Sequence, residues 1–306
     1  MDYKKIIRSR SMRKKILNLL SFVPDSVMLR LQYFIKFGRK LNLKNPQRYS
    51  EKLQWYKLHY RDPLMAQCVD KYDVREYIKN IGMEHILNDC FGVYDSPEEI
   101  DFDRLPEKFV LKDTLGGGGS SVIICSDREA FDTDNAVKQM KAWVAESSSA
   151  KGGGREWPYY VLKRKHRIVA ERYIESCAAD GGLIDYKFFC FEGKAQIIYG
   201  IADRTLGAGA GLGIYDREFR QLDVIREDER PLERTLEKPT NFSLLRDCAE
   251  KISQAFPHAR IDLYDQDGQI RFGEITFFDG SGYMKFNPDE FDYTMGDIFE
   301  LPQPKK

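Results

Sequence analysis

The chain is 306 residues long, 42% hydrophobic and 31% charged, with 48 Lys+Arg matched by 48 Asp+Glu. That length buries a sizeable core and suits two or three packed subdomains better than one unit. No apolar run of about 18 residues is present to span a bilayer. Met1–Leu20 is basic and lacks the apolar stretch of a signal peptide, so a cytoplasmic protein is expected. The six cysteines (Cys68, Cys90, Cys125, Cys177, Cys190, Cys248) are scattered without a C-x-x-C pair, which predicts reduced thiols and no cysteine metal site.

The zero net charge conceals an asymmetry. Residues 1–61 carry 16 Lys+Arg against Asp2, Asp25 and Glu51, a net of +13, which leaves −13 on the remainder. A basic arm ahead of an acidic body points to an anionic partner surface. The readings open to it are peripheral contact with an anionic membrane through residues 1–40, contact with a polyanionic glycan, or a solvated helical face. No nucleic-acid motif accompanies the charge, so nucleic acid is not expected.

Along the chain, helices are predicted from Lys4 to Leu20, from Pro24 to a cap at Gly38, and over Ser50–His59. The second is too broadly apolar to stand in solvent and should pack on the body. From Asp70 the pattern is mixed: a helix Tyr72–Ile81, strands Ile86–Val93, Phe109–Lys112 and Val122–Cys125, a helix Ala136–Ala145 and a strand Arg167–Ile174. A hairpin Tyr186–Phe191 and Ala195–Ile201 follows, then a Gly-rich segment at 207–213, a helix Leu244–Phe256 and a last hairpin, Ala259–Tyr264 and Ile270–Phe277. Adjacent strand pairs predict an α+β fold with antiparallel sheets.

Three segments carry chemistry. In Phe109-Val-Leu-Lys112-Asp-Thr-Leu-Gly-Gly117-Gly118-Gly119-Ser120-Ser121, a strand delivers a lysine just before a flexible loop whose backbone N–H groups can approach phosphate. The spacing is not that of a P-loop. In Arg167-Ile-Val-Ala-Glu171-Arg172-Tyr173-Ile174-Glu175, a strand end could present main-chain groups to a base. In Arg260-Ile-Asp262 to Glu274-Ile-Thr276, Glu274 and Thr276 share one strand face. A three-residue hairpin loop would set Asp262 opposite Phe272 and on that face, whereas a four-residue loop would turn it away. Two carboxylates and a hydroxyl on one face make a hard-oxygen site suited to Mg²⁺ bridging phosphates.

Seven stretches in order carry a resemblance: Asp70-Lys-Tyr-Asp-Val-Arg75, Lys108-Phe-Val-Leu-Lys112, Gly154-Arg-Glu-Trp-Pro-Tyr159, Ala170-Glu-Arg-Tyr-Ile174, Asp185-Tyr-Lys-Phe-Phe189, Arg260-Ile-Asp-Leu-Tyr264 and Gly273-Glu-Ile-Thr276. Over roughly Ser50–Pro302 the chain resembles the TupA-like ATP-grasp family, linked to cell-surface polysaccharide assembly. The resemblance implies an ATP-grasp fold, two α+β subdomains clamping ATP, with a helical basic arm (1–61) replacing the usual Rossmann-like domain. The catalytic body would span 62–306 and its lid about 105–170. Lys71 and Lys112 would contact phosphate, Gly117–Ser121 would fold over it, and Glu171–Ile174 would hold adenine. Asp185 would receive the ribose and Lys187 a phosphate. Asp262 and Glu274 would hold Mg²⁺, Thr276 stands where many members carry asparagine, Arg260 would stabilise the reacting phosphoryl group, and the Gly280–Gly282 turn would close on substrate.

The implied activity is an ATP- and Mg²⁺-dependent carboxylate–amine ligase acting through an acyl phosphate, joining an amine or amino acid to a carboxylate-bearing glycan such as a uronic acid. Alternatives are a kinase acting on a glycan hydroxyl and a glycosyltransferase. The last would use a D-x-D motif at Asp101–Asp103, Asp132–Asp134 or Asp265–Asp267.

Overall fold

A computed structural model describes residues 16–17, 19–117, 121–145, 154–161, 165–175, 182–205 and 209–305. The chain divides into two compact units. The first comprises Met1–Asp62, Lys151–Trp157 and Cys177–Lys306; the second comprises Pro63–Ala150 and Pro158–Ser176. Most of the helix expected at Lys4–Leu20 lies outside the described residues.

The first unit opens with helix α1 (Asp25–Phe37), which follows Pro24 and stops at Gly38, whose φ of 72° only glycine adopts at little cost. Met28, Leu29 and Tyr33 are buried on one side of α1. Helix α2 (Tyr49–His59) starts where the Glu51 carboxylate turns back and accepts from the N–H groups of Gln47 (3.0 Å), Arg48 (3.3 Å) and Asn42 (3.3 Å). This capping explains how a glutamate comes to be buried at the start of a helix.

The second unit begins with the short helices α3 (Pro63–Cys68) and α4 (Val74–Asn80). Its antiparallel sheet has the order β1-β4-β2-β3, from β1 (Cys90–Tyr94), β2 (Phe109–Asp113), β3 (Val122–Cys125) and β4 (Ile168–Arg172). Helix α5 (Thr133–Val144) is capped by the Asp132 carboxylate on Asn135 N–H. It packs on the sheet through Ala136, Met140 and Trp143, spaced at i, i+4 and i+7. Phe109, Leu111, Ile168 and Ala170 meet that helix. The pleat therefore sends Lys112 and Glu171 to the other face.

The first unit resumes with β5 (Asp185–Phe191), β6 (Lys194–Thr205), β7 (Gly209–Asp216), β8 (Ile225–Arg226), β9 (Arg230–Pro231), α6 (Phe242–Ser253), β10 (His258–Gln266), β11 (Gln269–Thr276), β12 (Phe286–Asn287) and α7 (Glu290–Ile298). Its six-stranded sheet runs β11-β10-β5-β6-β7-β9, antiparallel except for β7 with β9, and β12 pairs with β8. β7 falls in the segment whose glycines hid it from sequence reasoning. There Leu212, Ile214 and Tyr215 are buried, and a Cβ on Gly211 would meet Leu232 at 2.7 Å. The glycine is a close-approach residue within a strand.

One face of this sheet, including Phe188 and Cys190, packs on α6 through Phe242 and Ala249. On the other, β5 and β10 are apolar at one end and charged at the other. At the apolar end His258 is fully buried, with Nδ1 2.9 Å from the Cys190 carbonyl oxygen and Nε2 2.9 Å from the Tyr49 hydroxyl. Burial pushes its pKa down to about 4, against the pull of the Cys190 carbonyl. The folded state thus holds His258 neutral while the unfolded chain takes a proton below about pH 6.5. Stability should fall between pH 6.5 and pH 4, by up to about 3 kcal/mol from this group. Urea unfolding at pH 7 and pH 5 checks it: the loss should be smaller in His258→Gln, and equal losses would contradict the assignment.

Candidate active site

The charged end of that face is built by the β10–β11 hairpin. The hairpin closes Gln266 against Gln269 through a two-residue turn, with φ of 52° at Asp267 and 89° at Gly268. This is shorter than either loop the sequence suggested. Leu263 pairs with Phe272, but a bulge then shifts the register, so Asp262 faces Glu274 and not the Phe272 that a three-residue loop would have set there, and Arg260 faces Thr276. The extra residue is Gly273. A Cβ there would lie 3.0 Å from the Asp262 carbonyl oxygen and 3.3 Å from its Cβ. Short turn and bulge together set both carboxylates on one face. Gly273→Val should therefore lower both the melting temperature and ATP turnover, by roughly 1–3 kcal/mol in stability as for other overpacked sites. Unchanged values of both would contradict the role given to the bulge.

Arg260 organises this face. Its guanidinium donates to both Asp262 oxygens (2.7 and 2.8 Å), to Glu274 Oε1 (3.1 Å), to Thr276 Oγ1 (3.0 Å) and to Asp279. Lys187, cross-strand from Asp262, pairs with it and with Asp185 at 2.8 Å. Asp279 also accepts from Arg226 at 2.9 Å, and Arg226 pairs with Asp228 at 2.9 Å. Burial opposes charge on Lys187, but Asp185 and Asp262 outweigh it and hold the ammonium charged. Burial lifts the Asp262 carboxyl to about 6 despite Arg260 and Lys187, which leaves it ionised at neutral pH. For Asp279 burial pushes upward too, but Arg226 and Arg260 prevail and hold it below the usual carboxylate range. Tyr199 lies cross-strand from Lys187, and its buried hydroxyl has no hydrogen-bond partner among the described groups.

The turn after β11 is held from two distant segments. Gly280, Ser281 and Gly282 all have positive φ (50°, 54° and 67°). Such a conformation costs a serine roughly 1–3 kcal/mol unless its surroundings enforce it. Lys57 on α2 is fully buried and donates to the carbonyls of Ser281 (2.8 Å) and Gly154 (2.7 Å). Gln54 donates to Ser281 and Gly282, and the Ser281 hydroxyl donates to the half-buried Glu156. Burial lowers the Lys57 pKa to about 8, with Glu156 opposing, and raises that of Glu156, with Lys57 opposing.

The second unit gathers a separate set. Lys112 on β2 reaches Glu171 on β4 at 2.7 Å, and Arg75 on α4 reaches the same carboxylate at 3.4 Å. Lys71 donates through its ammonium to the Gly116 carbonyl and through its backbone N–H to Thr114 O at 2.9 Å. Asp113 anchors the loop's start, accepting from Leu115 N–H at 3.0 Å and lying 2.8 Å from His166 Nδ1. A Cβ on Gly117 would meet nothing within 4 Å, so internal packing does not require glycine there. Ser121 closes the loop, its carbonyl accepting from Asp113 N–H at 3.1 Å. Gly118, Gly119 and Ser120 lie outside the described residues. Beyond Glu171, the Arg172 side chain is exposed on Asp89, the Arg172 carbonyl accepts from Asn88 (2.7 Å), and Tyr173 and Ile174 are half-buried.

The D-x-D candidates serve as local caps. Asp101 accepts from Asp103 N–H (3.1 Å), Asp132 from Asn135 N–H (2.9 Å) and Asp265 from Gly268 N–H (2.8 Å). Sequence reasoning missed Asp279, Arg226, Arg75, Lys57 and Glu156 as members of these networks. Only Arg75 and Glu156 lay within stretches that the sequence singled out.

The donor set suits Mg²⁺. Among the described residues around Arg260, the cations Lys187, Arg226 and Arg260 are interleaved with the carboxylates Asp185, Asp228, Asp262, Glu274 and Asp279. Among the described residues no three His, Cys, Asp or Glu surround one point. Such a site suits Mg²⁺, which takes one or two protein carboxylates and completes its shell with phosphate and water.

The two antiparallel α+β units and this carboxylate–guanidinium face define the ATP-grasp class of protein. The chain belongs to the TupA-like ATP-grasp family, whose model matches residues 51–300. Among solved structures it is similar to D-alanine–D-alanine ligase from Bacillus anthracis (18% identity, 69% of this chain and 57% of that one, TM-score 0.42). It is also similar to the Helicobacter pylori enzyme of the same name (11% identity, 84% and 68%, TM-score 0.45) and to D-cycloserine synthetase DcsG (14% identity, 78% and 72%, TM-score 0.39). Likeness at this level adds nothing to the family match, and the chain spans less than two thirds of the Bacillus anthracis ligase. A comparison with curated proteins found no match.

Proposed function

We infer that the chain is an ATP- and Mg²⁺-dependent carboxylate–amine ligase. Its acid would be the uronic-acid carboxylate of a cell-surface polysaccharide or precursor, and its nucleophile an amine or amino acid. The observation that carries the ATP- and Mg²⁺-binding part of this reading is the pairing of Asp262 with Glu274 across β10 and β11, with Arg260 donating to both, and the ligase chemistry rests on membership of the ATP-grasp family. The glycan rests on the family's link to surface polysaccharide.

In the first step a substrate carboxylate oxygen attacks the γ-phosphorus of ATP, the bond to the bridging oxygen breaks, and ADP leaves. In the second the uncharged amine nitrogen attacks the acyl carbon, the bond from that carbon to the phosphate oxygen breaks, the departing phosphate takes up the proton that the nitrogen gives up, and an amide remains. Asp262 and Glu274, with Thr276 as a third oxygen, would hold Mg²⁺, which supplies Lewis-acid polarisation of phosphoryl oxygens. Arg260 and Lys187 place fixed positive charge where negative charge develops, and their carboxylate partners fix that placement beforehand. Lys71 and Lys112 of the second unit would bind phosphate, and the main chain of Glu171–Ile174 would bind adenine. Asp185 would receive the ribose, and Gly117–Ser121 would cover the phosphates. No conspicuous general base is required, since alignment and fixed charge do most of the work in phosphoryl transfer.

ATP with Mg²⁺ binds only the folded state and should raise the melting temperature. The rise should shrink in Lys112→Ala. The absence of any rise at millimolar ATP in the native protein would contradict nucleotide binding. For the glycan, mass spectrometry of surface polysaccharide from a deletion strain should show loss of an amide-linked substituent. An unaltered polysaccharide would rule that acceptor out.

A further inference from the structure

Helix α1 is apolar on two opposite sides, and only one of them is packed. Met28, Leu29 and Tyr33 are buried, whereas Val27 (54% exposed), Leu31 (51%) and Phe34 (54%) stand free at i, i+4 and i+7. Just ahead, Leu19 (75%) and Phe22 (80%) extend the exposed apolar surface along the chain. The turn that carries them is fastened down. Arg155, whose side chain is wholly buried, donates to the carbonyls of Leu20 (2.6 Å), Val23 (2.9 Å) and Ser21 (3.4 Å) and pairs with Asp25 at 3.1 Å. The main chain is thereby tied to the unit while Leu19 and Phe22 remain in solvent.

We propose that Leu19, Phe22, Val27, Leu31 and Phe34 form a docking surface for an anionic lipid bilayer. Two observations favour lipid over a protein partner. First, the stripe is convex: its members project from a helix and a turn. A helical peptide would require a groove to receive it, whereas a bilayer does not. Second, residues 1–15, which lead into the stripe, carry seven Lys+Arg (Lys4, Lys5, Arg8, Arg10, Arg13, Lys14, Lys15) against Asp2 alone. Exposed Arg30 and Lys40 flank the stripe within α1 and just beyond it. Apolar side chains for the acyl boundary and adjacent cations for phosphate headgroups are the two signals that peripheral attachment needs. No helix among the described residues is long and apolar enough to cross a membrane, so the attachment is interfacial.

The test is co-sedimentation of the full-length protein with phosphatidylglycerol–phosphatidylcholine vesicles and with pure phosphatidylcholine vesicles, at low and high salt. The expected result is binding to the anionic vesicles alone, weakened by salt. It should fall about tenfold or more in Phe22→Ser/Leu31→Ser/Phe34→Ser, a loss of about 1.4 kcal/mol per tenfold. These side chains are exposed, so melting temperature and ATP turnover should be unchanged in that variant. Binding to neither vesicle, equal binding to both, or undiminished binding by the triple variant would overturn the proposal. So would light scattering that shows a native dimer broken by the triple variant while vesicle binding persists, which would make the stripe a contact between copies of the chain.

Discussion

Glu274→Gln should reduce ATP turnover about 10³-fold while leaving the protein folded. A Lewis acid at a phosphoryl group contributes several kcal/mol to transition-state stabilisation, and each 1.36 kcal/mol is a tenfold change in rate. Glutamine keeps the shape but gives up the negative charge that would hold the cation. Of the two carboxylates Glu274 is the cleaner probe, because its side chain is 36% exposed and that of Asp262 only 2%. Arg260 would keep its contacts to Asp262, Asp279 and Thr276. The stability change should then stay within about 1 kcal/mol, as for other partly exposed pairs. Steady-state turnover at saturating Mg²⁺, measured beside thermal melts, checks the prediction. Near-native turnover in a folded variant would remove Glu274 from the metal site.

Lys57→Met should lower both the stability and the turnover of the protein. It strands the carbonyls of Gly154 and Ser281 and takes away the positive charge that favours the ionised form of Glu156. A buried carbonyl left without its donor typically costs about 1–3 kcal/mol. Turnover should fall as well, since Ser281 loses one of the contacts that enforce its positive φ. The double variant Lys57→Met/Glu156→Gln removes both charges and should recover part of the stability. Denaturant unfolding of both variants decides the matter. A double variant less stable than the sum of its parts would show that the two residues do not act as a pair.

Much of the architecture could be read from sequence because it follows local periodicity. The glycine after α1, the i, i+4, i+7 spacing in α5 and the alternation in β2, β4, β5 and β10 place those elements within a few residues of the observed ones. The site was harder to read where it depends on non-local geometry. Glu274 and Thr276 follow from period two alone, but Asp262 reaches their face only through the two-residue turn and the Gly273 bulge. Neither spacing nor composition reveals a bulge, because it depends on how the partner strand closes. Asp279 and Arg226 are 53 residues apart and meet in the interior, as do Lys57 and Ser281 at 224. Nothing local signals such pairs. β7 was obscured because its glycines are there for close packing and resemble a flexible run.

The proposed first step is attack on ATP by a carboxylate oxygen of the substrate. It is tested most directly with a uronic acid labelled with ¹⁸O in its carboxylate, supplied with ATP, Mg²⁺ and a pool of amino acids. The acyl phosphate route predicts one labelled oxygen in each released phosphate, formed together with the amide. ATP consumption that releases only unlabelled phosphate, or that leaves phosphate esterified to the sugar, would contradict it.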